Sequence, residues 1–320
     1  MDEIMDEVDP FILRMKRRHF LTLPLKLSSA AVLSGADQLT KSQSAPDLVF
    51  GVIADPQYAD YPNKGTRSYR DSLRKMKGAM KEFNELSLNF VVTLGDVIDR
   101  DMKSFAPMLA LYQQFKAPCR FVLGNHDFSV QDDEKSGVMK TLSMKQAYFS
   151  EEMGNWRMIY LDGTEVSTFR YPKDDPRTLQ AERLLETLKK KGVKQALPWN
   201  GAIGKEQLAW LKRELEASKT KRQRVILFNH FPVCPGGGAH HLWNADEVTD
   251  VIATYPNVVA YMNGHNHRGH YRMHDGCHFL NLKGMVETNH HNAFALVRCY
   301  ADRIEVDGFE SEPDRHLALV

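Results

Sequence analysis

Phe90-Val-Val-Thr-Leu-Gly-Asp-Val-Ile-Asp-Arg100 is an apolar, β-branched run that breaks at a glycine and then offers two carboxylates. The run reads as a buried strand. Asp96 follows Gly95 at its carboxyl end, the edge of an α/β sheet where ligands bind. With glycine before it, that carboxylate is open to two cations, and its two oxygens allow it to bridge them.

The arrangement recurs outward in both directions. Asp55 and Gln57 follow Leu48-Val-Phe-Gly-Val-Ile-Ala54. Asn125 and His126 follow Phe121-Val-Leu-Gly124, His230 follows Val225-Ile-Leu-Phe-Asn229, and His265 and His267 follow Val258-Val-Ala-Tyr-Met-Asn-Gly264. Asp55 and Gln57 lie two apart, so an extended backbone turns both to one side. His265 and His267 share that spacing, but the glycine turn before them lets them diverge onto different metals. Asp55, Gln57, Asp96, Asn125, His230, His265 and His267 are enough donors for two ions completed by water. A lone Gly-Asp or His-x-His carries little weight. Five strand ends offering such residues in this order predict a two-metal hydrolase.

The chain has 320 residues and a formal net charge of +1, so no global field draws it to nucleic acid or anionic lipid. Lys189-Lys-Lys191 reads as the solvated end of a helix. Cys119, Cys234, Cys277 and Cys299 form no C-x-x-C pair, which argues against a zinc ribbon or thioredoxin-like motif. Cys119 and Cys299 read as packed strand residues, and Cys234 as a loop cysteine near His230.

Residues 1–45 differ from the rest. An acidic decapeptide precedes Lys16-Arg17-Arg18-His19-Phe20-Leu21 and a short apolar stretch that ends at Leu33. This resembles a twin-arginine export signal, with Ser34-Gly35-Ala36 as a cleavage site, and it predicts a periplasmic or exported protein handled by the twin-arginine machinery. Lys26 interrupts the apolar run and Met15 offers a later start; a disordered leader on a cytoplasmic protein is the other reading. The stretch is too short and polar for stable membrane insertion.

From residue 46 to 320 the pattern predicts one catalytic domain. Helices are expected over about 66–86, 102–116, 177–191 and 204–217. A strand is expected at Trp156–Leu161, and short antiparallel strands at His278–Leu282, Ala293–Arg298 and Arg303–Val306. The fold class is α/β: two mixed β-sheets face to face with helices outside.

Asp-x-Gln, Gly95-Asp96-x-x-Asp99-Arg100, Gly124-Asn125-His126-Asp127, a lone His230 and Gly264-His265-x-His267 together resemble the calcineurin-like metallophosphoesterase superfamily. Gln57 stands where that pattern has histidine, a departure similar to the manganese-dependent ADP-ribose/CDP-alcohol diphosphatases. Gly65-Thr-Arg, Tyr69-Arg70, Asn200-Gly201, Leu242-Trp-Asn244 and Glu287-Thr288 extend the likeness, which runs from about residue 48 to Arg315.

The resemblance implies a four-layer αββα sandwich holding two divalent ions. One would sit on Asp55, Gln57, Asp96 and His267, the other on Asp96, Asn125, His230 and His265. Exchanging an imidazole for an amide oxygen hardens the first site toward Mn²⁺ or Mg²⁺. The expected reaction is hydrolysis of the phosphoanhydride of ADP-ribose, CDP-choline or CDP-glycerol by a metal-bridging hydroxide. The products would be a nucleoside monophosphate and a phosphorylated sugar or alcohol. His126 is the expected general acid or transition-state donor, oriented by Asp99, with Asp127 and Arg100 paired in support. Arg70 is expected to clamp phosphate. Trp199 and Asn200 are expected at the base, with the indole either stacking on it or packing as core or lid. His290 and His291 lie in the loop where the resemblance places contacts to the nucleoside or its leaving group; standing outside the matched motifs, they read first as solvent-exposed or as supports for a neighbour. A cyclic-nucleotide phosphodiesterase or phosphomonoesterase on the same site is the alternative, and a catalytically dead scaffold is a third reading.

Overall fold

The structure, a computed structural model, describes residues 45–319. The leader read over residues 1–45 lies, up to Ser44, outside the described residues. Twelve strands form two mixed sheets of six. The first sheet runs in the order β12 (Arg315–Ala318), β11 (Arg303–Glu310), β10 (Ala293–Cys299), β1 (Leu48–Ile53), β2 (Phe90–Leu94), β3 (Cys119–Val122). The second runs β4 (Phe149–Met153), β5 (Trp156–Tyr160), β6 (Arg224–Phe228), β7 (Val258–Asn263), β9 (Cys277–Lys283), β8 (Arg268–His274). Strands β1, β2 and β3 are parallel, as are β5, β6, β7 and β9. The remaining strands pair antiparallel at the flanks.

Side-chain alternation splits the core into layers. Phe50, Val52, Phe90, Val92 and Leu94 from the first sheet meet Trp156, Met158, Tyr160, Ile226, Phe228 and Met262 from the second. Their neighbours in sequence point outward. Ile53 and Val91 pack under α1 (Ser72–Asn84) and α2 (Phe105–Tyr112), and Ile159, Val225 and Leu227 under α5 (Lys205–Thr220) and α6 (Ala245–Thr254). A four-residue helix α3 (Val138–Thr141) and the longer α4 (Pro176–Lys190) lie between them in sequence. Helix α4 buries Ala181 and Leu185 in a satellite cluster with Trp243. Helices outside two packed sheets make the expected αββα sandwich.

Some expected boundaries shift. Helix α1 begins at Ser72, and Tyr69, expected on its apolar face, packs before it with Ala59 and Val286. Strands β4, β8 and β12 and helix α6 were not legible; the three strands are polar or part-exposed edge strands with weak alternation. No helix among the described residues is long and apolar enough to cross a membrane.

Candidate metal centre and active site

The ligand-type residues sit just past five strand ends, three in one sheet (β1, β2, β3) and two in the other (β6, β7). They converge at the shared upper edge of the sandwich. Gln57 Nε2 lies 2.8 Å from Asp96 Oδ2 and 3.1 Å from His267 Nε2, and His267 Nε2 lies 3.5 Å from Asp55 Oδ1. Beside them, His230 Nε2 is 3.4 Å from Asp96 Oδ2, 3.2 Å from Asn125 Oδ1 and 3.1 Å from His265 Nδ1. The two groups share Asp96. Donors around an octahedral ion with bonds of about 2.1 Å stand roughly 3 Å apart. The spacing therefore suits two small hard cations.

Each imidazole has its other nitrogen engaged. His230 Nδ1 donates to the Leu94 carbonyl at 2.7 Å. His265 Nε2 donates to Asn200 Oδ1 at 2.8 Å. Asn200 is fixed as the acceptor because its Nδ2 donates to the Gln195 and Ala239 carbonyls. His267 Nδ1 donates to Glu287 Oε1 at 2.6 Å. With those protons committed, the remaining nitrogen of each ring faces the centre, as metal-binding histidines require. Gln57 supplies a further test of fit. Its buried Oε1 has no hydrogen-bond partner among the described residues, while its Nε2 sits between Asp96 and His267. Turning the amide over exchanges the two atoms and aims an oxygen at that space. The donor set fits divalent ions: Asp55, Gln57, Asp96 and His267 would hold one, and Asp96, Asn125, His230 and His265 the other.

Electrostatics point the same way. Burial opposes charge on His230 and His267, yet the carboxylates of Asp96 and Asp55 push both up to about 9. Burial likewise opposes ionisation of Asp96, but His230 and His126 hold its carboxyl well below the usual range. His265 is driven well below its ordinary value by burial and then by His230. The carboxylates thus favour positive charge at the centre, and a divalent cation held there would take the place of those protons.

His126 follows the cluster on a short 3-10 turn at His126–Phe128. Its Nδ1 lies 2.9 Å from Asp99 Oδ1, and its Nε2 faces Arg67 Nη1 at 3.4 Å. Asp127 does not pair with Arg100. Its carboxylate accepts the backbone N–H groups of Asp96, Val97, Ile98 and Gly124, which clamps the loops after β2 and β3 together. Burial and the Asp96 charge push its carboxyl up to about 7. Arg100 instead lies over the Tyr61 ring at 3.8 Å, with Asp99 3.9 Å away. Glycine is required where chain passes chain: a Cβ on Gly124 would fall 2.2 Å from Asp96 Oδ1, and one on Gly264 would fall 2.5 Å from Asp55 Oδ2.

Two substrate expectations, for Arg70 and Asn200, need correction. Arg70 is exposed and bonded to Asp60 at 2.6 Å; the arginine beside His126 is Arg67. Asn200 is fully buried and spends its polar atoms on His265 and two carbonyls, so it orients a ring and does not face a base. His290 and His291 are exposed on the loop after Glu287. Trp199 is 42% exposed beside Asn200, which removes the core reading of its indole. Sequence reasoning passed over Glu287 and Arg67 as site residues, although both stand in motifs that carried the resemblance. It also passed over His240, whose ring lies 5.4 Å from that of His265.

Two sheets that bring carboxylates, amides and imidazoles to one edge define a metal-dependent phosphohydrolase. The chain belongs to the calcineurin-like phosphoesterase family, whose profile matches residues 48–269. It is 30% identical over 331 aligned positions to a manganese-dependent ADP-ribose/CDP-alcohol diphosphatase of Xenopus tropicalis, covering 87% of this chain and 96% of that protein. Proteins of the same name from Oryza sativa and Homo sapiens are each 29% identical, covering 87% and 83% of this chain and 96% and 91% of their own. Among solved structures, a dimetal phosphatase from Danio rerio superposes with a TM-score of 0.79 at 23% identity, covering 86% of this chain and all of that one. A purple acid phosphatase from yellow lupin gives 0.51 at 12% identity, covering 83% and 52%. At those identities the two structures speak for the fold.

Proposed function

We propose that the protein hydrolyses the phosphoanhydride bond of a nucleoside diphosphate joined to a sugar or an alcohol. ADP-ribose, CDP-choline and CDP-glycerol are the substrates in view, with Mn²⁺ as the preferred metal and Mg²⁺ as the second. The observation that carries this reading is Gln57, an amide placed between Asp96 and His267 where the wider superfamily pattern has an imidazole. The relatives that bear this activity in their names support it.

When bound, the two cations supply an acidified water and a positive field for the phosphoryl oxygens. The remaining roles belong to the chain. Arg67 offers a planar guanidinium suited to a phosphoryl oxygen. Asp99 holds the His126 Nδ1–H, which leaves Nε2 to carry a proton to the departing phosphate oxygen. Asn200 and Glu287 keep His265 and His267 turned inward.

Product analysis on metal-stripped protein tests the proposal. Mn²⁺, Mg²⁺ or Zn²⁺ is added back with ADP-ribose, CDP-choline, cyclic AMP and p-nitrophenyl phosphate. Manganese-dependent release of AMP or CMP from the first two is expected. Turnover confined to the last two would replace this reading with a phosphodiesterase or phosphomonoesterase. No turnover at all with both ions bound would leave a scaffold.

A further inference from the structure

Lys75 is an anomaly in this fold. It lies on α1, on the face that packs against the first sheet, and is 1% exposed. Lysine is almost never fully buried without a charged partner, and an aliphatic side chain would fill such a space without the cost of desolvating an ammonium. Burial pushes the ammonium down to about 8 against the pull of the Asp71, Glu287 and Glu310 carboxylates, and its hydrogen bonds go to backbone oxygens. Nζ donates to the carbonyl of Met285 at 2.7 Å, to that of Glu287 at 2.8 Å, and to that of Thr288. The three donors of the ammonium thus meet three acceptors that all belong to one short segment.

That segment is the hub of the candidate centre. Met285 N donates to the Ala54 carbonyl and Val286 N to the Asp55 carbonyl, while Gly284 N donates to the carbonyl of His267. Glu287 receives the Nδ1–H of His267. Ser68 N donates to the Val286 carbonyl and Thr288 N to the Thr66 carbonyl, so the same segment grips the strip that carries Arg67. Helix α1 holds the rest of the loop as well. Arg74 Nη2 donates to the Asn289 carbonyl, and Asn292 Nδ2 donates to the Lys75 carbonyl. One buried cation therefore stands beneath the carboxylate that orients His267.

We propose that Lys75 is a positioning residue, a tethered cation in a nest of three carbonyls that fixes the 285–288 segment and, through Glu287, the orientation of His267 at one of the two metal positions. Its effect is confined to the position built from Asp55, Gln57, Asp96 and His267. The position built from the shared Asp96 with Asn125, His230 and His265 has its two histidines oriented by Leu94 and Asn200, which Lys75 does not touch. The inference rests on the two-metal reading of the centre and is independent of the substrate.

Calorimetric titration of Mn²⁺ into metal-stripped, full-length protein tests it. Two binding events in the wild type establish the centre; none would remove the two-metal reading itself. Lys75→Met is expected to weaken one event by about 10- to 100-fold, the range for partners that orient a ligand, and to leave the other unchanged. Glu287→Ala should weaken the same event, and the double variant should be no weaker than Glu287→Ala alone, because the lysine acts through that carboxylate. A purely structural lysine would lower the melting temperature and leave both affinities of the folded protein as they were. That outcome, equal weakening of both events, or additive losses in the double variant would overturn the proposal. Should Lys75→Met fail to fold, the same titration on Lys75→Gln decides, since its amide keeps two donors without the charge. The same single event should weaken there, and two unchanged events would overturn the proposal.

Discussion

At the scale of the residue, the centre depends on backbone conformations that side chains disfavour. Asp55 (φ 48°), Gln57 (φ 43°), Asp96 (φ 53°) and His265 (φ 67°) all occupy the left-handed region. Each such residue costs on the order of 1–3 kcal/mol and persists where surrounding contacts over-determine it. Here the contacts are the amides and carbonyls that cross between strand ends, such as Gln57 N to Asp96 O at 2.8 Å. The residue types at the centre were legible because a strand, a glycine and a polar residue are neighbours in sequence. Which arginine turns inward was not legible. Arg67 and Arg70 lie three apart in one loop, and the choice falls to Asp60, which holds Arg70 outside, and to Glu287, whose backbone bridges to Arg67. Arg67→Ala should therefore lower kcat/KM for a nucleoside diphosphate substrate by about 100-fold, as for loss of one donor to a developing anion. Arg70→Ala should stay within about twofold, since exposed salt bridges contribute little. Steady-state kinetics on both variants checks this, and a reversed order would return Arg70 to the site.

At the scale of the element, the central strands were legible as unbroken apolar runs, and the structure decided which of their two buried faces meets the other sheet. Phe50 stacks on Phe90 at 4.7 Å, Tyr160 stacks on Phe228 at 5.1 Å, and the two pairs meet edge to face, with 5.7 Å between Phe50 and Phe228. Phe228 is fully buried two residues before His230, so the same strand that carries the ligand anchors the core. Phe228→Ala should cost about 3–5 kcal/mol of stability, read from urea unfolding. A loss under about 1 kcal/mol would mean that the sheets close over the gap. The edge strands escaped sequence reading for the opposite reason. Arg268–His274 is mostly exposed on both faces, so no alternation marks it, and only its antiparallel register with β9 makes it a strand.

At the scale of the whole molecule, the centre is a joint between sheets. Asp55, Asp96 and Asn125 come from one and His230, His265 and His267 from the other, so a cation held by both groups ties the halves of the sandwich together. Binding to the folded state alone stabilises by about 2.7 kcal/mol per site when free metal is 100-fold above its dissociation constant. Mn²⁺ should therefore raise the melting temperature of the metal-stripped protein by several degrees, and chelation should reverse the shift. Calorimetry checks this, and a melting temperature indifferent to metal would place the ions outside the joint. The sequence by itself determined the strand-end residues and the family, because each is encoded in a few neighbouring residues. The tertiary structure decided which imidazole nitrogen faces the centre, which arginine stands beside His126, that Asn200 serves His265, and that a buried lysine underlies the loop of Glu287. Those outcomes turn on hydrogen bonds between residues tens to hundreds of positions apart, such as Lys75 to Met285, and no local pattern encodes them.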